Sequence, residues 1–496
     1  MNLGFIYTFK PGNGAAFPPR YKARLVFKNH KFATDSTWEE SFSPVVDKST
    51  LRLFFTMVGK RNMHMRQADV RTAYLNAEMP DVIYICLSNI CGDETDWVRQ
   101  LYRALYGHPK AGQLWNKLFV EFASSEGYLQ SVRDSCLFYH PIHDCLLVLY
   151  VDDLLGACEN LSIVKEFWKK LSAKFNIRDL GGPTHFLGID ICHLPSQSAV
   201  TLSQQKYILE LAKKYDLPTT LRPLTPISSD YYKKLEAAQH QPIVEDFPYK
   251  ELVGALIFVM TCTRPDIAFA VCCLTQYFSA PRAIHWEQAL RCLGYLAATS
   301  SYGLILGKGG GEDLVAFSDS DWAGDPITRR SIGGFLIFFG NSLLCWSSKT
   351  QRGLIALSST ESEFIQLALS IRQLLYIQPI FVELKYPEIE KFTILYGDNL
   401  PSISSIGNKS AKSRTKHVDI RLKFCGEVVN AGKITIQHVS TEHNLADIFT
   451  KPLPAPRFRL LRDTIVFDLT FMTNKDSKAM DTALVALNSF SSCIRF

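Results

Sequence analysis

Apolar residues along the chain alternate between short runs with strand character and longer segments with helical spacing. Runs rich in aliphatic and aromatic residues at positions 23–27, 82–87 and 145–150 predict β-strands. Residues 161–175 place apolar side chains near helical spacing with lysines outside them, which predicts an amphipathic helix. The alternation indicates a chain built from α/β or α+β layers.

A glycine cluster at residues 307–311 interrupts this pattern and predicts a turn or linker. The elements predicted after it are three successive strands, a long helix and another strand, at residues 314–319, 331–339, 343–347, 359–375 and 392–396. That order predicts a mixed-sheet α/β domain. Beyond Pro454 the pattern becomes irregular, and it predicts a tail without regular structure.

Composition places the chain among ordinary globular proteins. Its 496 residues are enough for about three domains, and 47% hydrophobic with 21% charged residues excludes disordered and fibrous classes. The longest apolar runs are broken by charged residues before they reach the roughly 18 residues of a membrane span, so no membrane partner is expected. A net charge of +6 permits a polyanionic partner without requiring one.

The cysteines and histidines predict neither disulfides nor a zinc site. The 13 cysteines include no Cys-x-x-Cys pair, and no signal-peptide pattern follows Met1, which predicts reduced thiols in a protein that is not secreted. His438 and His443 have the spacing of half a zinc site, but the other two ligands are missing.

Three acids of the first half lie where strands are predicted to end. Asp152 and Asp153 follow the apolar run 145–150 directly, and Asp69 ends another predicted strand. Burying ionised carboxylates costs several kcal/mol per ion unless a cation or hydrogen bonds compensate, so the pair indicates a metal, with a solvent-exposed Asp-Asp turn as the alternative. Three such acids could hold two Mg²⁺ ions about 3.5–4 Å apart, the arrangement used in nucleotidyl transfer.

A second set of acids follows the glycine cluster. Single acids of this kind are usually solvated, but four of them on alternating strands and helices are the set that a two-metal nuclease needs. The four candidates are Asp319, Glu363, Asp398 and Asp447. Asp321 is an alternative to Asp319, which is preferred because it follows the strand directly, and Glu361 is an alternative to Glu363.

Read as a whole, the chain resembles the polymerase and ribonuclease H portion of copia-type (Ty1/copia) retrotransposon Pol polyproteins, from about Tyr21 to Leu453. The segments that carry the resemblance include Tyr21-Lys-Ala-Arg-Leu-Val, Ala68-Asp-Val-Arg-Thr-Ala-Tyr-Leu-Asn, Leu149-Tyr-Val-Asp-Asp-Leu, Thr263-Arg-Pro-Asp-Ile-Ala, Trp346-Ser-Ser-Lys and Ala446-Asp-Ile-Phe-Thr-Lys. So many segments in one order exceed what chance produces for a single short motif.

The resemblance implies a right-hand polymerase followed by a ribonuclease H-like mixed-sheet domain. The expected boundaries are fingers and palm at 1–220, a thumb or connection region with the glycine-rich linker at 221–311, the ribonuclease H-like domain at 312–453 and the irregular tail at 454–496. The implied activities are RNA-directed DNA synthesis and hydrolysis of the RNA in a hybrid.

The resemblance also implies roles for individual residues. The metal ligands would be Asp69, Asp152 and Asp153 in the polymerase, and Asp319, Glu363, Asp398 and Asp447 in the nuclease. Tyr74 falls where the family places the aromatic side chain under the sugar, with core packing as the alternative. Lys22 and Arg24 match fingers positions near the triphosphate, where a cation offsets charge, and could otherwise be ordinary exposed cations.

One position departs from the family pattern. The family commonly reads Tyr-Gly-Leu-Lys-Gln-Ala where this chain has Tyr106-Gly-His-Pro-Lys-Ala, so Lys110 replaces the glutamine that lines the nucleotide site. A lysine can meet a phosphate as a point charge but lacks the paired donor and acceptor of an amide. The replacement puts nucleotide affinity and fidelity in question.

The implied partners are an RNA template, a DNA primer, the RNA–DNA hybrid, dNTPs and other parts of the retroelement polyprotein. The implied cofactor is Mg²⁺, two ions per active site, with Mn²⁺ as an alternative, and the basic stretch 409–416 could follow a phosphate backbone. Replication in cytoplasmic virus-like particles, with nuclear entry of the DNA, is the implied location; the oligomeric state is open. A catalytically inactive or domesticated fragment that only binds nucleic acid is the alternative, motivated by Lys110 and by the start of the chain at Met1 inside the fingers.

Overall fold

The computed structural model describes residues 3–10, 19–27, 43–86, 98–244, 246–352, 355–407 and 416–470. The strands of this part are β1 (Leu3–Lys10), β2 (Arg20–Phe27), β3 (His64–Val70), β4 (Tyr84–Cys86), β5 (Val98–Gln100), β6 (Leu129–Gln130), β7 (Leu137–His140), β8 (Cys145–Tyr150), β9 (Asp153–Cys158), β10 (Ile177–Gly181), β11 (His185–Phe186), β12 (Ile189–Leu194), β13 (Ala199–Ser203), β14 (Tyr302–Leu306), β15 (Leu314–Asp321), β16 (Ile332–Phe339), β17 (Ser342–Thr350), β18 (Thr393–Gly397), β19 (Thr435–His438) and β20 (Phe467–Asp468).

The α-helices are α1 (Lys48–Lys60), α2 (Ala111–Ser125), α3 (Leu161–Lys174), α4 (Gln205–Lys214), α5 (Tyr231–Ala237), α6 (Tyr249–Cys262), α7 (Ala268–Thr275), α8 (Ala283–Ala298), α9 (Ser359–Glu383), α10 (Leu400–Gly407), α11 (Lys416–Asn430) and α12 (Ala455–Arg462). Short 3₁₀ turns lie between them, including Ala73–Asn76 and Leu445–Phe449.

The chain divides into two compact units. The first contains residues 1–47 and 64–183, and the second contains residues 48–63 and 184–496. This division differs from the predicted boundaries at 220 and 311. The second unit contains a five-stranded antiparallel sheet in the order β11-β12-β13-β14-β20. In this sheet β13 pairs with β14, about 100 residues later in the chain, so residues on both sides of position 220 belong to one unit.

The first unit is built on a six-stranded antiparallel sheet in the order β10-β3-β9-β8-β7-β6. The predicted strand at 145–150 is confirmed as β8 and is almost entirely buried. The predicted helix at 161–175 is confirmed as α3, and the Asn160 side chain caps it by accepting a hydrogen bond from the Ser162 amide. Aromatic side chains of α2 and α3, among them Trp115 and Phe119, form the buried core against this sheet.

The second unit contains the predicted mixed sheet, in the order β17-β16-β15-β18-β19. β16 runs antiparallel to both β15 and β17, whereas β15, β18 and β19 run parallel to one another. The three strands predicted after the glycine cluster are confirmed as β15, β16 and β17. The α/β character of this unit and the α+β character of the first confirm the predicted multidomain fold class.

Helix α9 is longer than predicted and packs against this sheet through buried side chains such as Phe364, Leu367 and Ile371. By length and composition it could cross a membrane, but 56% of its most apolar 18-residue window is buried inside the structure. Its apolar character is therefore that of a core helix.

The glycine cluster at 307–311 forms a packed turn. Gly307 has a left-handed φ of 97°, and its amide donates a hydrogen bond to the Ser342 hydroxyl at 2.8 Å. A Cβ added to Gly59 of α1 would lie 2.8 Å from the Gly307 Cα. The glycines allow two backbones to approach more closely than side chains would permit.

Two local expectations differ from the structure. The start of the expected irregular tail forms α12, which buries Phe458 and Leu461, and β20 then pairs with β14. Cys145 and Cys158, expected to be reduced, form a disulfide between the neighbouring strands β8 and β9, with their Cα atoms 4.3 Å apart. A single-strand pattern does not show which residue lies opposite a cysteine, because strand register is set by tertiary pairing.

Candidate active sites

The turn between β8 and β9 presents Asp152 and Asp153. Val151 in this turn has a left-handed φ of 56°, which a β-branched residue rarely adopts. The indole nitrogen of the buried Trp115 donates to the Val151 carbonyl at 2.6 Å, and the Val70 amide donates to the Asp152 carbonyl at 2.7 Å. These two hydrogen bonds fix an otherwise unfavourable turn, so the positions of the acids are set by surrounding structure.

Asp69 joins the two turn acids through strand pairing. It lies on β3 directly opposite Asp153 on β9, and all three predicted polymerase acids are partly exposed. Among the residues that the structure describes, their carboxylates do not meet as closely as those of the acidic cluster in the second unit. The pairing of β3 with β9 thus places the three acids at neighbouring strand ends, although their carboxylates do not converge as those of the second unit do.

Two tyrosines lie beside these acids. The rings of Tyr74 and Tyr106 have centroids 4.6 Å apart. Burial, together with the charges of Asp152 and Asp69, raises the pKa of Tyr106 to about 12 against the opposing effect of Arg24. Burial and Asp152 likewise raise the pKa of Tyr74. Tyr106 thus lies within electrostatic reach of two predicted metal ligands and of one predicted triphosphate cation.

The predicted substrate-binding cations occupy two different settings. Lys22 and Arg24 are alternate residues of β2, and alternate residues of a strand lie on the same face. Lys110 directly precedes α2 and forms an ion pair with Asp81, with 3.0 Å between Nζ and Oδ2. The charge of Lys110 is therefore already shared with a carboxylate.

The second site gathers three of the predicted nuclease acids. Asp319 on β15 and Asp398 just after β18 each lie two residues beyond the paired Phe317 and Tyr396. Glu363 reaches them from α9, and one ligand oxygen from each of the three acids lies within 4.8 Å of the others. Parallel neighbouring strands present their carboxyl ends at one sheet edge, and this brings the two aspartates together.

Because the cluster is buried, the ionised forms of its carboxylates are electrostatically unfavourable when no cation is bound. Asp319 is 1% exposed and Glu363 is 6% exposed. Burial raises the pKa of Asp319 to about 7, and burial with the charges of Asp319 and Asp398 raises the pKa of Glu363 to about 9. Converging carboxylate oxygens suit a hard divalent cation such as Mg²⁺, whose charge offsets their repulsion.

The alternatives at two of these positions lie in different surroundings. Glu361 accepts a hydrogen bond from the Leu357 amide at the start of α9, at 2.8 Å. Glu363 instead accepts from the Ser320 amide at 3.0 Å inside the cluster. Asp321 lies outside the group of three that Asp319 joins.

Asp447 lies next to the cluster with both of its oxygens engaged. Its Oδ1 is 2.7 Å from Lys451 Nζ, and its Oδ2 is 3.1 Å from an Arg457 nitrogen. Lys451 Nζ also lies 3.4 Å from Asp319 Oδ2. The structure thus brings Asp447 near the other acids but pairs it with two cations.

Sequence reasoning missed Tyr106, Lys451 and Arg457 as members of these sites. Lys451 follows Asp447 by four residues, a spacing at which opposite charges often meet, so a local signal was present. Arg457 and Tyr106 carried no comparable signal, since their contacts depend on tertiary packing. The basic stretch at 409–416 lies, apart from its last residue, outside the described residues.

Sequence comparisons show which family and which proteins the chain is similar to. A family model described as "Reverse transcriptase (RNA-dependent DNA polymerase)" matches residues 2–229. A Retrovirus-related Pol polyprotein from transposon TNT 1-94 of Nicotiana tabacum is 30% identical over 90% of this chain and 34% of its own length. A transposon Ty5-1 protein of Saccharomyces cerevisiae is 32% identical over 60% of this chain and 97% of its own length.

Two solved structures that match the chain do so at low identity. An RNase H1 from Halobacterium salinarum covers 28% of it at 14% identity and a TM-score of 0.21. A foamy viral protease-reverse transcriptase in complex with double-stranded DNA covers 89% of it at 10% identity and a TM-score of 0.22.

The chain thus combines a unit built on an antiparallel sheet, in the region that the reverse transcriptase model matches, with a unit that contains a mixed α/β sheet. The chain belongs to the reverse transcriptase family of copia-type transposon Pol polyproteins. It spans about a third of the length of the plant Pol polyprotein that it matches.

Proposed function

We propose that this chain is an RNA-directed DNA polymerase with an attached ribonuclease H, which copies an RNA template and degrades the RNA of the resulting hybrid. The observation that carries the proposal is the β8–β9 turn, which presents Asp152 and Asp153 opposite Asp69 in a chain of the reverse transcriptase family. The implied partners are the RNA template, the DNA primer, their hybrid and dNTPs.

In the polymerase, Asp69, Asp152 and Asp153 would hold Mg²⁺, with Mn²⁺ as the alternative. Divalent ions held by these acids would supply the positive charge that activates the primer hydroxyl and stabilises the leaving pyrophosphate. Tyr74, packed on Tyr106, offers an aromatic surface beside Asp152 for the sugar of the incoming nucleotide. Lys22 and Arg24 would offset the charge of the triphosphate.

In the nuclease, Asp319, Glu363 and Asp398 would hold the divalent ion that positions water opposite the scissile phosphate. Asp447 stands beside them and pairs with Lys451 and Arg457, two cations that would attract the phosphate backbone of the hybrid. We place this chemistry in cytoplasmic virus-like particles, followed by nuclear entry of the DNA, together with other parts of a Pol polyprotein.

DNA synthesis is tested with purified chain, a poly(rA) template, an oligo(dT) primer, dTTP and Mg²⁺. We expect incorporation by the wild type and a loss of at least about 100-fold in Asp152→Asn, since a metal ligand is removed. Asp144→Asn is the matched control, because it removes a carboxylate at the opposite end of β8, where a φ of 51° suits asparagine. If the folded wild-type chain incorporates no dTTP, the polymerase proposal is wrong.

The alternative function is a catalytically inactive chain that only binds nucleic acid. It is favoured by the ion pair between Lys110 and Asp81, which engages the cation that replaces the family's glutamine. It predicts that the folded chain retains a labelled RNA–DNA hybrid in a gel-shift assay yet neither extends nor cleaves it. If Asp81→Asn, which removes this ion pair, raises primer extension, the ion pair instead restrains a working polymerase.

A further inference from the structure

The nuclease site contains a positive charge supplied by the chain itself. Lys451 Nζ lies 2.7 Å from Asp447 Oδ1 and 3.4 Å from Asp319 Oδ2, so it bridges acids from two different elements. Its side chain is 31% exposed, whereas those of the two acids are almost fully buried. The ammonium group therefore sits at the open side of the cluster, between the strand acid and the acid of the 3₁₀ turn.

The backbone around Lys451 is held in place from both sides. The adjacent Thr450 is fully buried, and its hydroxyl donates a hydrogen bond to Asp319 Oδ2. The Ser348 hydroxyl of β17 donates to the Phe449 carbonyl at 2.6 Å. The Lys451 amide itself donates to the Asp447 carbonyl at 3.2 Å. The lysine stem thus starts from a fixed point, which limits where its ammonium can lie.

Both oxygens of Asp447 pair with a cation, the first with Lys451. Its second oxygen pairs with Arg457, whose guanidinium also donates to the carbonyls of Glu442 and Thr441 at 2.6 and 3.0 Å. Two cations therefore oppose one carboxylate, while Asp319, Glu363 and Asp398 form the group that converges for a metal. The excess positive charge lies on the Asp447 side of the site.

We propose that the ammonium of Lys451 occupies the position that a second divalent ion would take between Asp319 and Asp447, so that the nuclease site holds one divalent ion, on Asp319, Glu363 and Asp398. Metals of a two-metal site lie about 3.5–4 Å apart, and a fixed ammonium at this position excludes a second metal by occupying its ligands and by repulsion. The proposal rests on the proposed nuclease function.

The chemistry of the lysine suits this role. An ammonium is a compact point charge with three donors. Two of them face Asp447 and Asp319, which leaves the third for an oxygen of the hybrid's phosphate backbone.

The test counts Mn²⁺ ions in the full chain by electron paramagnetic resonance, with a hybrid of 2′-O-methyl RNA and DNA that resists cleavage. Asp69→Asn and Asp152→Asn are present throughout to remove the polymerase site. For the otherwise wild-type chain we expect one bound Mn²⁺ per chain, with the six-line spectrum of an isolated ion. Adding Asp398→Asn should abolish the binding of this ion. Lys451→Met keeps the apolar stem and deletes the charge. We expect this variant to bind two Mn²⁺ ions per chain and to show the spectrum of a spin-coupled pair.

Two further variants control the count. Lys451→Arg keeps the charge and should remain at one ion. Lys433→Met removes an exposed lysine paired with Glu390 in the same unit and should also remain at one. A coupled pair in the chain with Lys451 intact would overturn the proposal, as would a folded Lys451→Met that still binds one ion. If Lys451→Met does not fold, the counts for the intact lysine and for Lys451→Arg decide.

Failure of the nuclease function is separable from failure of this proposal. A chain that binds one Mn²⁺ at the cluster but cleaves no labelled hybrid lacks the nuclease function while its metal count stands. A chain that cleaves hybrid and shows a coupled pair retains the nuclease function and refutes the role of Lys451.

Discussion

At the scale of single residues, the two sites differ in how their carboxylates are surrounded. The polymerase acids lie partly exposed at strand ends, whereas Asp319 and Glu363 are buried against each other. Water screens the first set, whereas the charge of the second set is offset by Lys451, by hydrogen bonds from Ser320 and Thr450, and by any proton or cation that binds there. The stability of the buried cluster should therefore depend on pH and on bound metal.

Glu363 gives a pH-dependent prediction. Its pKa is raised from 4.5 to about 9 on folding, so between these values the folded chain holds a proton that the unfolded chain releases, and stability falls as pH rises. In EDTA at pH 8 we expect Glu363→Gln to raise the free energy of unfolding by up to about 5 kcal/mol, since pH 8 lies about 3.5 units above 4.5 and each pKa unit corresponds to about 1.4 kcal/mol.

Urea denaturation at pH 5 and pH 8 measures this effect, and Glu361→Gln at the start of the same helix is the control. The gain in unfolding free energy from Glu363→Gln should be smaller at pH 5 than at pH 8. It should vanish in saturating Mg²⁺, which stabilises only the wild-type site. An equal gain at both pH values would contradict the assigned cause.

The Thr263-Arg-Pro-Asp motif gives a second residue-scale prediction. Arg264 and Asp266 are fully buried and joined by two hydrogen bonds of 2.9 and 2.7 Å, and Tyr295 donates to the same carboxylate at 2.6 Å. Arg264→Met leaves a buried charge without its cation and should cost about 3–5 kcal/mol of unfolding free energy.

Chemical denaturation of two further variants separates the buried pair from general loss of charge. Arg264→Met combined with Asp266→Leu should lose less than the single change, since neither charge then remains unpaired. Lys391→Met, which breaks an exposed pair with Glu388, should stay within about 0.5 kcal/mol of wild type. The motif is then a structural feature of the second unit.

At the scale of elements, close backbone packing and strand pairing decide the architecture. Helix α1 approaches the turn after β14 so closely that glycine is required on both sides. The β8–β9 turn is held by Trp115 of α2 and by the pairing of β3 with β9. Both features join segments distant in the chain, and local periodicity carries no information about them.

Two helical glycines give a matched prediction at this scale. Gly59→Ala places a Cβ 2.8 Å from the Gly307 Cα and should destabilise the second unit by about 1–3 kcal/mol. Gly254→Ala in α6 meets nothing within 4 Å and should stabilise the chain by about 0.5–1 kcal/mol through helix propensity. Thermal unfolding of both variants checks the signs, and a stabilised Gly59→Ala would show that the turn is not closely packed.

At the scale of the whole molecule, the two candidate sites lie in different compact units. The polymerase acids belong to residues 64–183, and the nuclease acids belong to residues 184–496. Each site takes its ligands from one unit alone. The two proposed activities should therefore be separable by single substitutions.

Paired assays test this separation. Asp398→Asn should abolish cleavage of a labelled RNA–DNA hybrid and leave primer extension within about twofold of wild type, because no ligand of the polymerase site changes. Asp152→Asn should do the reverse. If Asp398→Asn cleaves hybrid as well as wild type, the assignment of that acid is wrong; if either change removes both activities, the sites are not independent.

The sequence by itself determined the family, the multidomain α/β character and the acids at the ends of predicted strands, because motifs and periodicity are local properties of a chain. Tertiary structure decided which acids converge, that Asp447 is paired with Lys451 and Arg457, and that residues 184–220 join the second unit. Those outcomes depend on strand register and on charges from distant segments. Strand register and these ion pairs are established only when the sheets form and the side chains pack together.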